Sequence, residues 1–369
     1  MGARAGRPRR RALTLAAVAG LLVGASEASP AQSPPPTLAQ LVGQKLVVTM
    51  NGTSPSLLAR ARRGEIGGVI VHAFNFSTAA QLRSITRQLH AAAAAGGQPR
   101  LLVAVDQEGG SVKTVPWIAP TVAPPRTGSV GVALDQGRRT GASLRALGVD
   151  IDLAPVADVP ATRASFVYRQ GRTWSFDAAQ TARLAGAFAL GLAQSHTLAT
   201  TKHFPGLGFA PRNTDYAVVR IGASKAQLAP GLTPYRQAVA QHVPLVMLSN
   251  AIYDDYDWVN AAGWSRVIST QLLRGQLGFR RVTITDSLDG AAHARGILPN
   301  GLAIGAANAG TDLLLVTGSE PASRSVFTSL LRAAQSGRVH RSSLEASYQR
   351  ILALKATVLR GGARRTRIG

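Results

Sequence analysis

Eight short apolar runs, separated by stretches of helical periodicity, limit what this chain can fold into more than any other feature. The runs are Lys45–Met50, Gly68–His72, Leu101–Asp106, Val149–Pro155, Leu198–His203, Leu245–Asn250, Val282–Asp286 and Asp312–Val316. Between them Ala79–Ala95, Arg138–Leu147, Ala178–Gln194, Leu228–Gln241 and Ser265–Gln276 repeat apolar residues at helical spacing, as helices with one buried face do. Strands that are apolar throughout, alternating with such helices, imply parallel β–α units covered on both faces. Eight units predict an α/β fold of one domain, a (β/α)8 TIM barrel, and 46% hydrophobic residues supply its core. A doubly wound open sheet shares the alternation. However, no Gly-rich phosphate loop opens the first helix, so a nucleotide site lacks support.

A barrel makes a second demand: chemistry gathers where strands end. Asn75, Asp106, Glu108, Asp158, His203, Asn250 and Asp286 all stand just where apolar runs stop. In Val105–Lys113, Asp106 and Glu108 are expected on opposite faces of a continuing strand, so that only one enters the mouth. Gly109 and Gly110 would admit a ligand close to the backbone; a cap and turn is the bland alternative. Asp152 is expected as a satisfied interior carboxylate, and Arg172 beside Trp174 as a clamp for a sugar or carboxylate, or else as a surface helix cap. Only five of the 41 basic residues are lysines, so Lys202 next to His203 stands out from an arginine background. A Schiff-base lysine at a strand end is a rival for Lys202, but it needs neither the paired histidine nor Asp286.

The segments DQEGG, LAPVADV, KHFPGLG and ITDSLDG, in this order, resemble glycoside hydrolase family 3, and within it the single-domain bacterial β-N-acetylhexosaminidases of the NagZ type. The resemblance spans roughly residues 38–358, and KHFPG followed about eighty residues later by TDSL is its most specific part. It implies a retaining, exo-acting hydrolysis of terminal β-N-acetylhexosaminides in two steps, without metal or cofactor. By motif position Asp286 matches the nucleophile. Lys202, His203 and Asp106 match residues that hold the terminal sugar's hydroxyls, and Arg172 matches a substrate-binding arginine.

The chain departs from that pattern in one loop. Where the family carries Asp-Ser-His after KHFPGHG, with histidine as acid/base, this sequence has Asn213-Thr214-Asp215, and Leu207 replaces the preceding histidine. Two readings stand. Asp215 is the acid/base, its carboxyl raised by burial and by Asp286, with Asn213 orienting it and Gly206, Gly208 and Pro211 hinging a loop whose tip is Phe209-Ala210. Alternatively the loop is structural and the protein is a weakened hydrolase or a glycan-binding homologue. A β-glucosidase-type activity of the same family is a further alternative. Ser111 and Thr114 stand where arginines are usual, leaving Lys113 as a substitute cation. Trp117, Trp174, Trp258 and Trp264 offer stacking faces, with core packing the expected role of at least two.

Outside the barrel, arginines at 7 and 9–11 precede the apolar Ala12–Ala25 and then small residues at Ser26, Ala28 and Ala31, the layout of a signal peptide over residues 1–31. Residues 32–37 read as a linker, 38–358 as the barrel domain and 359–369 as a basic disordered tail. With no cysteine neither a disulfide nor lipid attachment through an N-terminal cysteine is expected, and no later run is long enough for a membrane span. The expected location is therefore extracytoplasmic. A net charge of +23 suits attraction to anionic cell-wall polymer. No basic run interleaves with aromatics, which argues against nucleic acid. The other histidines lack metal-ligand spacing, so no metal is expected.

Overall fold

All eight apolar runs become strands of one parallel sheet that curls back on itself. The computed structural model describes residues 1–3 and 35–363; the expected signal peptide lies almost wholly outside them, as do residues 32–34 of the linker and residues 364–369. The strands are β1 (Leu46–Thr49), β2 (Gly68–Ile70), β3 (Leu102–Val105), β4 (Ile151–Asp152), β5 (Leu198–Phe204), β6 (Leu245–Leu248), β7 (Val282–Thr285) and β8 (Leu314–Val316). Neighbours run in chain order from β1 to β7, and β8 lies beside β1. The seam between β7 and β8 closes through one bridge, Ile284 to Leu313. Its hydrogen bonds run from Thr285 N to Leu313 O (3.0 Å) and from Leu313 N to Thr283 O (2.8 Å). The (β/α)8 expectation is borne out.

Alternation along each strand divides the core. Val47, Leu102, Ala104, Leu245, Met247 and Ile284 pack in the barrel interior. Their strand neighbours Val48, Val103 and Val246 pack outward against helices. The closing helix, Arg341–Ala363, sends Ile351, Leu354 and Val358 into the interior cluster and plugs the end where the strands begin. That plug is polar at its edge: Lys355 Nζ donates to Gln44 Oε1 (2.6 Å) and Gly67 O (2.9 Å). Lys45 Nζ donates to Thr311 O (2.8 Å) and Ser347 Oγ (2.7 Å). Residues 359–363, assigned from sequence to the tail, continue this helix.

Helix ends follow local chemistry. Thr78 and Gln81 form a reciprocal cap that starts Ala79–Ala95 where the periodicity places it. The helix expected at Arg138–Leu147 begins earlier, at Val130, because the Ser129 hydroxyl accepts from Val132 N. The stretch Leu228–Gln241 is broken into Lys225–Leu228, a 3-10 turn at Ala229–Leu232 and Thr233–Ala240, since Pro230 and Pro234 lack the donor a continuous helix needs. Val267–Gln276 winds as a wider π-helix. No helix of the described residues is long and apolar enough to cross a membrane.

Candidate active site

The strands deliver their last residues to a cavity of about 830 Å³ lined by Asp106, Glu108, Arg172, Lys202, His203, Asp215 and Asp286, among others. Asp106, Arg172, Lys202, His203, Asp215 and Asp286, the residues given roles from sequence, all line this one space, whereas the strand-end residues Asn75, Asp158 and Asn250 do not. Strand β5 is buried along its full length, and near its end Lys202 and His203 both line the cavity.

Lys202 is the centre of an ion cluster. Its Nζ lies 2.7 Å from Asp106 Oδ1 and 2.7 Å from Glu108 Oε1. Arg172 then grips Glu108 with two donors, Nε and Nη2, each at 2.7 Å, a bidentate pairing of planar groups. Both carboxylates therefore face the mouth, which corrects the expectation of opposite faces. Residues two apart on a strand share a face, and the chain beyond β3 stays extended over Gln107–Gly109. Burial opposes the charge on Glu108, yet Lys202 and Arg172 hold its carboxyl down at about 2. Burial likewise opposes the charge on Lys202, while Asp106 and Glu108 keep its ammonium above the usual lysine range. Glu108 and Lys202 stay charged at any physiological pH, and a Schiff-base role, which needs a neutral amine, is disfavoured.

His203 has a different partner. Its Nδ1 lies 2.8 Å from Asp158 Oδ2, while Asp158 Oδ1 accepts the backbone N–H groups of His203 (3.2 Å) and Leu207 (2.8 Å). A carboxylate acceptor places the ring proton on Nδ1 and leaves Nε2 for a ligand. Asp158 thus fixes the imidazole and the start of the following loop together.

Asp286 follows β7; its Oδ1 accepts from Ser287 N at 2.7 Å. Asp215 comes from the loop after β5 and backs onto Gly290, one helical turn past Asp286. Burial first, and Asp286 second, push the Asp215 carboxyl up to about 7. Asn213 does not touch that carboxyl, contrary to expectation: its side-chain oxygen accepts from Asp215 N at 3.0 Å, a local turn that fixes the backbone. The supposed Phe209-Ala210 tip is also only half right. Ala210 is buried, and its carbonyl accepts from Phe166 N, while Gly208 O accepts from Ala161 N. The base of the loop is fastened to the segment after β4.

Other expectations fail or shift. Asp152 is buried but not satisfied: one oxygen accepts from Gln107 N, the other has no partner, and burial raises its carboxyl well above the usual range. Lys113 donates to Pro116 O and does not line the cavity, so it does not replace the missing arginines. None of the four tryptophans lines it either; Trp174 is buried against Phe188, and Trp264 packs on the core beneath Arg295. Sequence reasoning missed His72, Tyr216, Asp289 and His293 as cavity residues. Asp289 could have been found, because it stands three residues past Asp286 and helical spacing puts it on the same side.

Comparison with known proteins agrees with this geometry. Residues 37–354 match the glycosyl hydrolase family 3 N-terminal domain. An uncharacterized secreted glycosyl hydrolase of Arthroderma benhamiae is 31% identical over 86% of this chain and 93% of its own length. A beta-hexosaminidase of Bordetella avium is 35% identical over 70% of this chain and 75% of its own. Among solved structures, a β-N-acetylhexosaminidase from Beutenbergia cavernae superposes with a TM-score of 0.81 at 30% identity, covering 87% of this chain and 99% of that one. A family 3 β-N-acetylglucosaminidase from a Paenibacillus species gives 0.84 at 28% identity over 88% of this chain; the match spans 63% of that longer protein.

Proposed function

The chain belongs to glycosyl hydrolase family 3 and is a glycoside hydrolase, and from that premise we propose that it is a retaining exo-enzyme acting on terminal β-N-acetylhexosaminides, with Asp286 as nucleophile and Asp215 as acid/base. The observation that carries the pairing is the state of the two carboxyls in one cavity. Asp215, raised to about 7 by burial and by Asp286, keeps its proton where ordinary aspartates have lost theirs. Asp286 is the partner whose charge helps to keep it there.

In the first step the Asp286 carboxylate attacks the anomeric carbon, the bond to the leaving oxygen breaks, and Asp215 gives that oxygen its proton. The product is a glycosyl ester on Asp286. In the second step Asp215, now a carboxylate, takes a proton from water, whose oxygen displaces Asp286 and regenerates both groups. Lys202, Asp106 and the Nε2 of His203 are the donors and acceptors for the sugar's hydroxyls. Arg172 acts through Glu108, holding it against Lys202. The names of the similar Bordetella, Beutenbergia and Paenibacillus proteins support the N-acetylhexosaminide preference.

Export, peptidoglycan-derived substrate and attraction to anionic polymer belong to the same proposal. They rest on the leader-like residues 1–31, the secreted fungal relative and the charge of +23.

A panel of aryl β-glycosides tests the reading. Hydrolysis of the N-acetylglucosaminide above the glucoside is expected, and Asp286→Asn should abolish it. Turnover of no aryl glycoside would leave a glycan-binding protein instead, and activity that survives Asp286→Asn would refute the nucleophile.

A further inference from the structure

Resting on that reading of Asp215, we propose that Gly290 is a positioning residue for the acid/base: the missing side chain at 290 is the seat in which the Asp215 carboxyl lies. A Cβ built on Gly290 would stand 2.4 Å from Asp215 Oδ1 and 2.9 Å from both its Cβ and Cγ. Those distances are far inside van der Waals contact, and the obstruction falls on the carboxyl and on the root of its side chain alike. Asp215 has little freedom to yield. Its own N–H is held by Asn213 Oδ1, Thr214 beside it is buried, and Asp215 Oδ1 is buried without a partner.

The glycine is not explained by its backbone. Gly290 lies inside the helix Leu288–His293 and is absent from the glycines with positive φ. Alanine there would ordinarily favour the helix by about 1 kcal/mol. The chain forgoes that preference where a carboxyl needs the space.

The same helical turn also carries the nucleophile. Ser287 donates its N–H to Asp286 Oδ1 (2.7 Å), and its hydroxyl caps the helix by accepting from Gly290 N (2.9 Å). That hydroxyl is pinned in turn by Thr317 Oγ1 at 2.5 Å. One hydrogen-bonded turn therefore anchors Asp286 at its start and receives Asp215 at its end. The spacing between nucleophile and acid is set by this turn, with the loop resting on it.

The test compares Gly290→Ala, Asp215→Ala and the double variant on an alkyl and a dinitrophenyl β-glycoside of the preferred sugar, with pH profiles and melting curves. For Gly290→Ala we expect the alkyl glycoside to slow by roughly 100-fold. The dinitrophenyl kcat/KM should change little, because departure of that group needs no proton. The basic limb near pH 7 should move, and the double variant should match the activity of Asp215→Ala alone. If Asp215→Ala leaves the alkyl-to-aryl ratio unchanged, the acid/base reading itself fails. If Asp215→Ala behaves as expected while Gly290→Ala keeps the parent ratio and limb, or while the two losses multiply, the seat is refuted and the acid/base stands. Should Gly290→Ala not fold, Asp215→Gly with Gly290→Ala must fold, since nothing then fills the seat; failure of that pair also refutes it.

Discussion

Asp215 and Glu108 line one cavity, yet their surroundings drive them in opposite directions, and that opposition sets the pH behaviour of the site. Asp215 is raised to about 7, so hydrolysis of alkyl glycosides should fall as pH rises through that value. Asp215→Ala should remove the limb and slow the alkyl substrate by roughly 100-fold, with azide restoring turnover of activated glycosides; an unchanged profile would make Asp215 a spectator. The native state binds this proton more tightly than the unfolded chain, so its stabilising effect is complete below about pH 3.8 and lost as pH climbs through about 7. Asp215→Asn should therefore raise the melting temperature more at pH 8 than at pH 4. Glu108 has the reverse sign. Its carboxyl is held at about 2 against an ordinary 4.5, so its contribution is full above 4.5 and is lost as pH falls through 2. Glu108→Gln should cost about 3 kcal/mol at pH 7, read by urea unfolding, and the gap should narrow as pH drops below 4. From sequence alone Lys202, His203 and Asp286 were legible because each ends an apolar run. Glu108 was misjudged by a facing error, and the bond that gives Asp158 its role joins two strand ends, which no local pattern records.

Among the elements, the helices Val130–Ala146 and Ala178–Gln194 cross backbone to backbone. A Cβ on Gly191 would meet Leu134 O at 2.3 Å and Arg138 N at 2.6 Å, and one on Gly137 would meet Phe188 O at 2.1 Å. Two backbones touch where helices are normally spaced by side chains. Gly191→Ala should force them apart at a cost of about 1–3 kcal/mol, measured by thermal unfolding; a neutral result would mean that the helices slide freely. Both helices were expected from periodicity, and caps and prolines explain where their boundaries moved. Their contact was not legible, because a glycine in a helix looks like weak propensity until its neighbour is known.

The whole barrel is held at two places that periodicity does not reveal, the seam and the plug. At the seam the buried Asp312 gathers Arg274 and Arg350, each within 2.8 Å, and accepts from Thr283 N. At the plug Lys355 is buried, and burial lowers its amine to about 7. The unfolded chain then binds this proton more tightly, so the lysine's contribution rises with pH from about 7 to 10.5. The stability of the parent relative to Lys355→Met should climb over that interval; a flat difference would show that Lys355 titrates normally. Eight alternating units, with polar residues gathered where the strands end, pointed to the barrel over the doubly wound sheet that shares the alternation. The choice of lysine over arginine at the plug has a practical consequence. Of the chain's five lysines, Lys45, Lys202 and Lys355 are almost wholly buried, whereas Lys225 is exposed. An acylating reagent will mark Lys225 at once but can reach Lys355 only when the closing helix lifts away. Each lifting can then be captured as a permanent mass tag, and the protein becomes a recorder of its own breathing.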